Sequence, residues 1–177
     1  MHDNSPLSPL EALDVGRFKR SAQVTSHEIN TRFHCLSTDA TRLLIAVECL
    51  CQVGDASQVF IMPGHFKALA GVYHHKGQLI PVFDLYAWLD ETKDVKQKTL
   101  VILGEEEKAV GLLCKSLPHK LSFNQQQGES LPTNAPHALQ QVSSCIFHDT
   151  DHGICFLLEP DSWFSHLAST VIQTEHH

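Results

Sequence analysis

Hydrophobic residues in this chain fall into short runs divided by turn-forming residues, beginning with RFHCLS (32–37) and RLLIAV (42–47). Short apolar runs bounded by Gly, Pro, Asp or Ser predict strands rather than helices. Asp39-Ala40-Thr41 reads as the hairpin connection between the first two. AGVYHH and GQLIPVFDL predict two more strands joined at Lys76-Gly77, where glycine supplies positive φ at low cost. KTLVILG, KAVGLLCKSL and HKLSF continue the series, with hairpin chemistry at Gly104-Glu105-Glu106-Glu107. VSSCIFHD and ICFLLEP close it around a turn at Thr150-Asp151-His152-Gly153.

Other segments are less regular. QVFIM (58–62) predicts a strand, and AVECLCQV (46–53) reads equally as a short helix or a bent strand. Pro63-Gly64 breaks the chain, and His65 to Leu69 suffices for one helical turn. Leu85 to Leu89 predicts a short helix capped by Asp84, and a last helix is expected from Asp161 to Ile172 with Asp161 or Ser162 near its cap. The polar, proline-containing stretch 124–140 reads as a long surface loop. Leu7, Leu10, Leu13 and Phe18 hint at an amphipathic helix in an N-terminal extension, residues 1–31, expected to be peripheral or partly disordered.

No long helix alternates with the strands, so a doubly wound sheet is disfavoured. Many short strands with closely spaced turns predict a barrel or sandwich instead. The charged stretch DETKDVKQK (90–98) splits the strands into two sets, so the expected fold is all-β with two small barrels. The domain is expected over 32–172: one lobe at about 32–90 plus the C-terminal end, the other at about 98–159, and a tail at 173–177.

Composition narrows the function. A formal charge of −7 without a concentrated basic stripe argues against nucleic acid as a partner. No apolar stretch is long enough for a transmembrane helix and no signal peptide is evident, so a cytoplasmic location without membrane insertion is expected. Six cysteines include no C-x-x-C pair, and Cys35, Cys114, Cys145 and Cys155 sit in apolar runs, as buried reduced thiols would. Cys49 and Cys51 share a face if their segment is extended.

The tip His74-His75-Lys76 is the most evident candidate for chemistry. Adjacent histidines on a strand point to opposite sides, so His74 and His75 do not readily chelate one ion. His34, His65, His148 and His152 are further candidate ligands, but no spacing brings them together. The serines lack a G-x-S-x-G elbow, and Gly64, Gly71 and Gly77 are too far apart for a phosphate loop. No catalytic group or cofactor is indicated. Pro81 lacks an N–H, so its strand should be an edge or bend there. A hairpin with a polar tip and an exposed strand edge is instead a surface for docking.

Gly71-x5-Gly77-x3-Pro81-x2-Asp84-Leu85 resembles the signature of CheW-like adaptor domains, written G-x-x-N-L-R-G-x-x-x-P-x-x-D-L. RLLIAVECLCQV resembles the family's upstream segment, with Leu50, Gln52 and Val53 at the key places of a V-x-E-I-like motif. IMPGHFKALAG, LVILGEEEKAVGLLCKSLPHKLSF and CIFHDTDHGICFLLEPDSWF resemble later segments in the same order, so the likeness covers about 32–168. The N-terminal extension is similar to those of adaptors in chemosensory systems governing type IV pili and twitching motility.

This resemblance implies two five-stranded SH3-like barrels around a shared core. It also implies a non-enzymatic scaffold without cofactor, coupling methyl-accepting chemoreceptors to a CheA-like histidine kinase. The receptor's cytoplasmic tip would bind between the barrels and the kinase's regulatory domain would pair end-on. Leu50, Gln52, Val53, His75 and Lys76 would then form the partner-binding face, while Gly71, Gly77, Pro81, Asp84 and Leu85 shape the backbone. The sequence departs from the pattern at three polar places: the N-L-R triplet is His74-His75-Lys76, the usual glutamate is Gln52, and the usual aspartate is Lys115. The alternative functions are a histidine-rich metal- or pH-responsive module on the same fold, using His74, His75, His148 or His152, and a cysteine-dependent enzyme.

Overall fold

The computed structural model describes residues 30–64, 66–91 and 97–172. The expected N-terminal helix, His65, most of the charged linker and the tail lie outside the described residues. Among the described residues, eleven strands form two sheets. β1 (Asn30–Ser37), β2 (Arg42–Ala46), β9 (His119–Asn124), β10 (Ser143–Asp149) and β11 (Gly153–Leu158) make the first, in the order β10-β11-β2-β1-β9. β3 (Cys51–Gly54), β4 (Phe60–Ile61), β5 (Leu69–His75), β6 (Gln78–Asp84), β7 (Thr99–Leu103) and β8 (Val110–Cys114) make the second, in the order β3-β7-β8-β6-β5-β4. Among the described residues the α-helices are α1 (Leu85–Trp88), α2 (His137–Gln140) and α3 (Pro160–Ile172).

Each sheet curls upon its own small core. β9 and β10 are opposite edges of the first sheet, yet Phe123 and Phe147 stack with ring centroids 4.8 Å apart. Paired backbone hydrogen bonds of 2.9 Å between Glu129 and Ile146 extend that seam. Phe33, Cys35, Leu44 and Cys155 fill this core, while Ile80, Val82, Leu100, Ile102 and Ala109 fill the other.

The largest core lies between the sheets. Leu36, Leu43 and Ile45 from the first sheet meet Val101, Leu103 and Leu112 from the second, with Trp88 and Trp163 from the helices. Alternate residues of β2 and β7 thus face two different cores. Strands buried on both faces need unbroken apolar runs, which explains RLLIA and TLVIL.

Hydrogen bonds join the sheets at one end. Lys115 N–H donates to Ser37 O at 2.8 Å, and Lys115 Nζ lies 2.6 Å from Asp39 Oδ1. The buried Thr38 and Thr41 hydroxyls both donate to Glu91 Oε1, at 2.7 and 2.8 Å.

Several expectations change. The sheets do not divide at 90–97: the second spans 51–114, because β6 pairs in parallel with β8 across that stretch. It has six strands rather than five, the sixth being the two-residue β4. β1 begins inside the expected extension, where Asn30 pairs with Asn124. No helical turn precedes β5 among the described residues, since Ala68 O already accepts the Asp84 N–H of β6 at 2.8 Å. AVECLCQV resolves into a turn, closed by Cys49 N–H to Ala46 O at 3.0 Å, and then strand β3. Residues 124–140 are more than a surface loop: α2 forms there, with Leu139 and Ala135 buried in the shared core. Pro81 lies in an interior strand, one residue before the β8 ladder begins at Val82–Gly111, where its missing N–H is least needed.

Candidate protein-docking face

The β5–β6 connection is a two-residue turn with both central residues at positive φ, Lys76 at 48° and Gly77 at 86°. This primed turn follows the natural twist of a hairpin. Glycine accepts it freely, but a lysine there carries strain. His74 faces Leu79 and is exposed, whereas His75 turns to the other side beside Tyr73, with centroids 6.4 Å apart. The adjacent histidines diverge as strand geometry requires.

Two other segments meet this tip. Gly104 N–H donates to Leu50 O at 3.0 Å, fixing the start of β3 beside the β7–β8 turn. That turn begins at Gly104, φ 82°, and continues through Glu105 into a 3-10 turn, Glu106–Lys108. Leu50, Gln52, His75 and Lys76 line one open concavity of about 260 Å³, together with Gln78, Glu105 and Glu106. Four of the five expected contact residues are therefore brought together. Val53 is not among them: one residue from Gln52 on β3, it projects to the opposite side and is 54% exposed.

The backbone residues of the motif have distinct physical tasks. A Cβ on Gly71 would stand 2.2 Å from Phe60 O, so glycine allows β4 to close against β5. A Cβ on Gly77 would meet nothing within 4 Å, so its requirement is conformational. Asp84 accepts the Tyr86 N–H at 3.0 Å, capping α1, and forms an ion pair with Lys98. Lys98 Nζ also stands 5.3 Å from the Tyr86 ring centroid. Leu85 is fully buried in the shared core. The edge strand β4 exposes Phe60 and Ile61, 69% and 77% open to solvent.

The remaining candidates are dispersed. His152 Nδ1 lies 2.5 Å from Asp149 Oδ1, and its ring packs against His119 at 4.8 Å. His148 stands 3.6 Å from Glu129, while burial and Lys120 lower the pKa of His34. Among the described residues, no group of three or more His, Cys, Asp or Glu side chains is arranged to hold a metal. All six cysteines are free. Burial pushes the thiols up, Cys51 to about 11 and Cys114 to about 12, the opposite of what activates a nucleophile. Among the described residues, no helix is long and apolar enough to cross a membrane.

Sequence reasoning missed Glu105, Glu106 and Gln78. The acidic turn was legible as a hairpin connection, but only the parallel pairing of β6 with β8 brings it beside the His75-Lys76 tip.

A family model for the CheW-like domain matches residues 33–168. One similar solved structure is that of the scaffolding protein TtCheW from Thermoanaerobacter tengcongensis, with a TM-score of 0.63 and 16% identity. The match covers 76% of this chain and 88% of that one. The architecture is accordingly that of two SH3-like barrels. A search of curated proteins finds no match.

Proposed function

The chain belongs to the CheW-like domain family, and from that premise we propose that it is a non-enzymatic adaptor linking methyl-accepting chemoreceptors to a CheA-like histidine kinase in the cytoplasm. The concavity shared by Leu50, Gln52, His75 and Lys76 carries this reading. It combines an apolar contact with hydrogen-bonding and charged groups, as a polypeptide docking site does. The receptor's cytoplasmic tip and the kinase's regulatory domain are the partners. Gly71, Gly77, Pro81, Asp84 and Leu85 hold the face in shape. The pathway is bacterial chemotaxis or, by the likeness of the N-terminal extension, control of type IV pili.

Lysine keeps the charge of the family's arginine without its planar fork, so contact with a partner carboxylate is a single point of attraction. At micromolar affinity the binding free energy is about −8 kcal/mol, and losing one central anchor worth roughly 2 kcal/mol weakens binding tens-fold. Lys76→Glu is therefore expected to abolish co-purification with the kinase regulatory domain or the receptor tip while leaving the circular dichroism spectrum unchanged. Undiminished co-purification at physiological salt would reject this face.

A further inference from the structure

Opposite charges line this concavity without forming an ion pair with each other. Lys76 occupies the β5–β6 tip, and Glu105 and Glu106 occupy the β7–β8 turn. No ion pair among the described residues involves any of the three. Lys76 and Glu106 also share a backbone conformation, φ 48° and 49°, that disfavours residues bearing a Cβ. Glycine or asparagine would make either turn more easily, so turn formation does not account for charged residues at these positions. Leu50 supplies an apolar contact within the same concavity, and His75 is the other titratable side chain lining it.

We propose that Glu105 and Glu106 select what docks here, and that the occupant is a polypeptide segment of mixed charge. Its acidic side chain meets Lys76, its basic side chain meets the glutamate pair, and a small apolar group rests on Leu50. A uniformly acidic segment gains from Lys76 and is repelled across the concavity; a uniformly basic one meets the reverse. Complementarity with one charge and repulsion from the other thus exclude both. This inference rests on the docking face proposed above.

The test titrates the full chain, at about 50 mM salt and constant neutral pH, with two probes. These are a chemoreceptor cytoplasmic hairpin and a CheA-like regulatory domain from the same organism. The double variant Glu105→Lys/Glu106→Lys is expected to weaken binding about threefold to tenfold. Glu105→Gln/Glu106→Gln should give a smaller loss, and both losses should shrink at about 0.5 M salt. Circular dichroism checks that each variant is folded. Binding by the lysine double variant that equals or exceeds wild type overturns the mixed-charge occupant; loss of binding in Leu50→Asp would then leave the docking face standing. Undiminished binding by Lys76→Glu overturns the face and this inference together, as does failure of the wild-type chain to bind either probe.

Discussion

At Lys76 the conformational preference of the backbone opposes the docking role proposed for the side chain. A φ of 48° places the residue in the left-handed region beside Gly77. Such a conformation costs a residue with a Cβ about 1–2 kcal/mol, while glycine gives back part of the difference through its freer unfolded chain. Lys76→Gly should therefore stabilise the protein by about 0.5–1 kcal/mol in urea denaturation and at the same time weaken partner binding. A variant that lost stability would show that the lysine side chain supports the hairpin itself. Gly71 is the converse: with Phe60 O in the way of any Cβ, its role is steric. The motif's glycines and Asp84 were legible in the sequence because backbone geometry fixes their residue types. Val53 was not, because membership in a motif does not say which side of a strand a residue takes.

At the scale of elements, alternating or unbroken apolar runs marked most strands and their hairpins, whereas the stretch 124–140 concealed a core element. Leu139 is a lone apolar anchor in a polar, proline-bearing segment, and four-residue α2 is too short to show periodicity. It packs in the shared core together with Trp88, Trp163 and Leu167. Truncating a fully buried leucine removes transfer free energy and leaves a cavity. Leu139→Ala is thus expected to lower stability by about 2–4 kcal/mol, measured from the shift of the urea midpoint. A loss under about 0.5 kcal/mol, typical of surface positions, would return this segment to the surface loop that its composition suggests. Parallel pairing of β6 with β8 was equally hidden, since nothing local in either strand names its partner. That one contact moves the expected lobe boundary away from 90–97.

Across the whole molecule, burial of imidazoles ties stability to pH. Burial lowers the pKa values of His34, His119 and His166. Lys120 reinforces the effect at His34 while Glu48 opposes it. His152 and Arg42 reinforce it at His119 against Asp149, and His137 reinforces it at His166. In each case the folded value lies below the unfolded value of 6.5. As pH falls through 6.5, the unfolded chain therefore binds protons that the folded chain refuses, and protonation favours unfolding. Full stability stands above the unfolded pKa and declines until the folded values are reached. Asp149 adds a second loss at lower pH, because its bonds to His152 hold its carboxyl below the usual 3.8. Urea midpoints should thus be flat from pH 7 to 8 and fall as the pH drops below 6.5. His119 is the most telling site: its ring packs on His152, and its Nε2 is buried without a hydrogen-bond partner. His119→Phe keeps the ring contact and removes the proton site, so it should flatten part of the decline. An unchanged slope in that variant would assign the acid sensitivity to the other two histidines, and a midpoint rising below pH 6.5 would contradict the sign of all three.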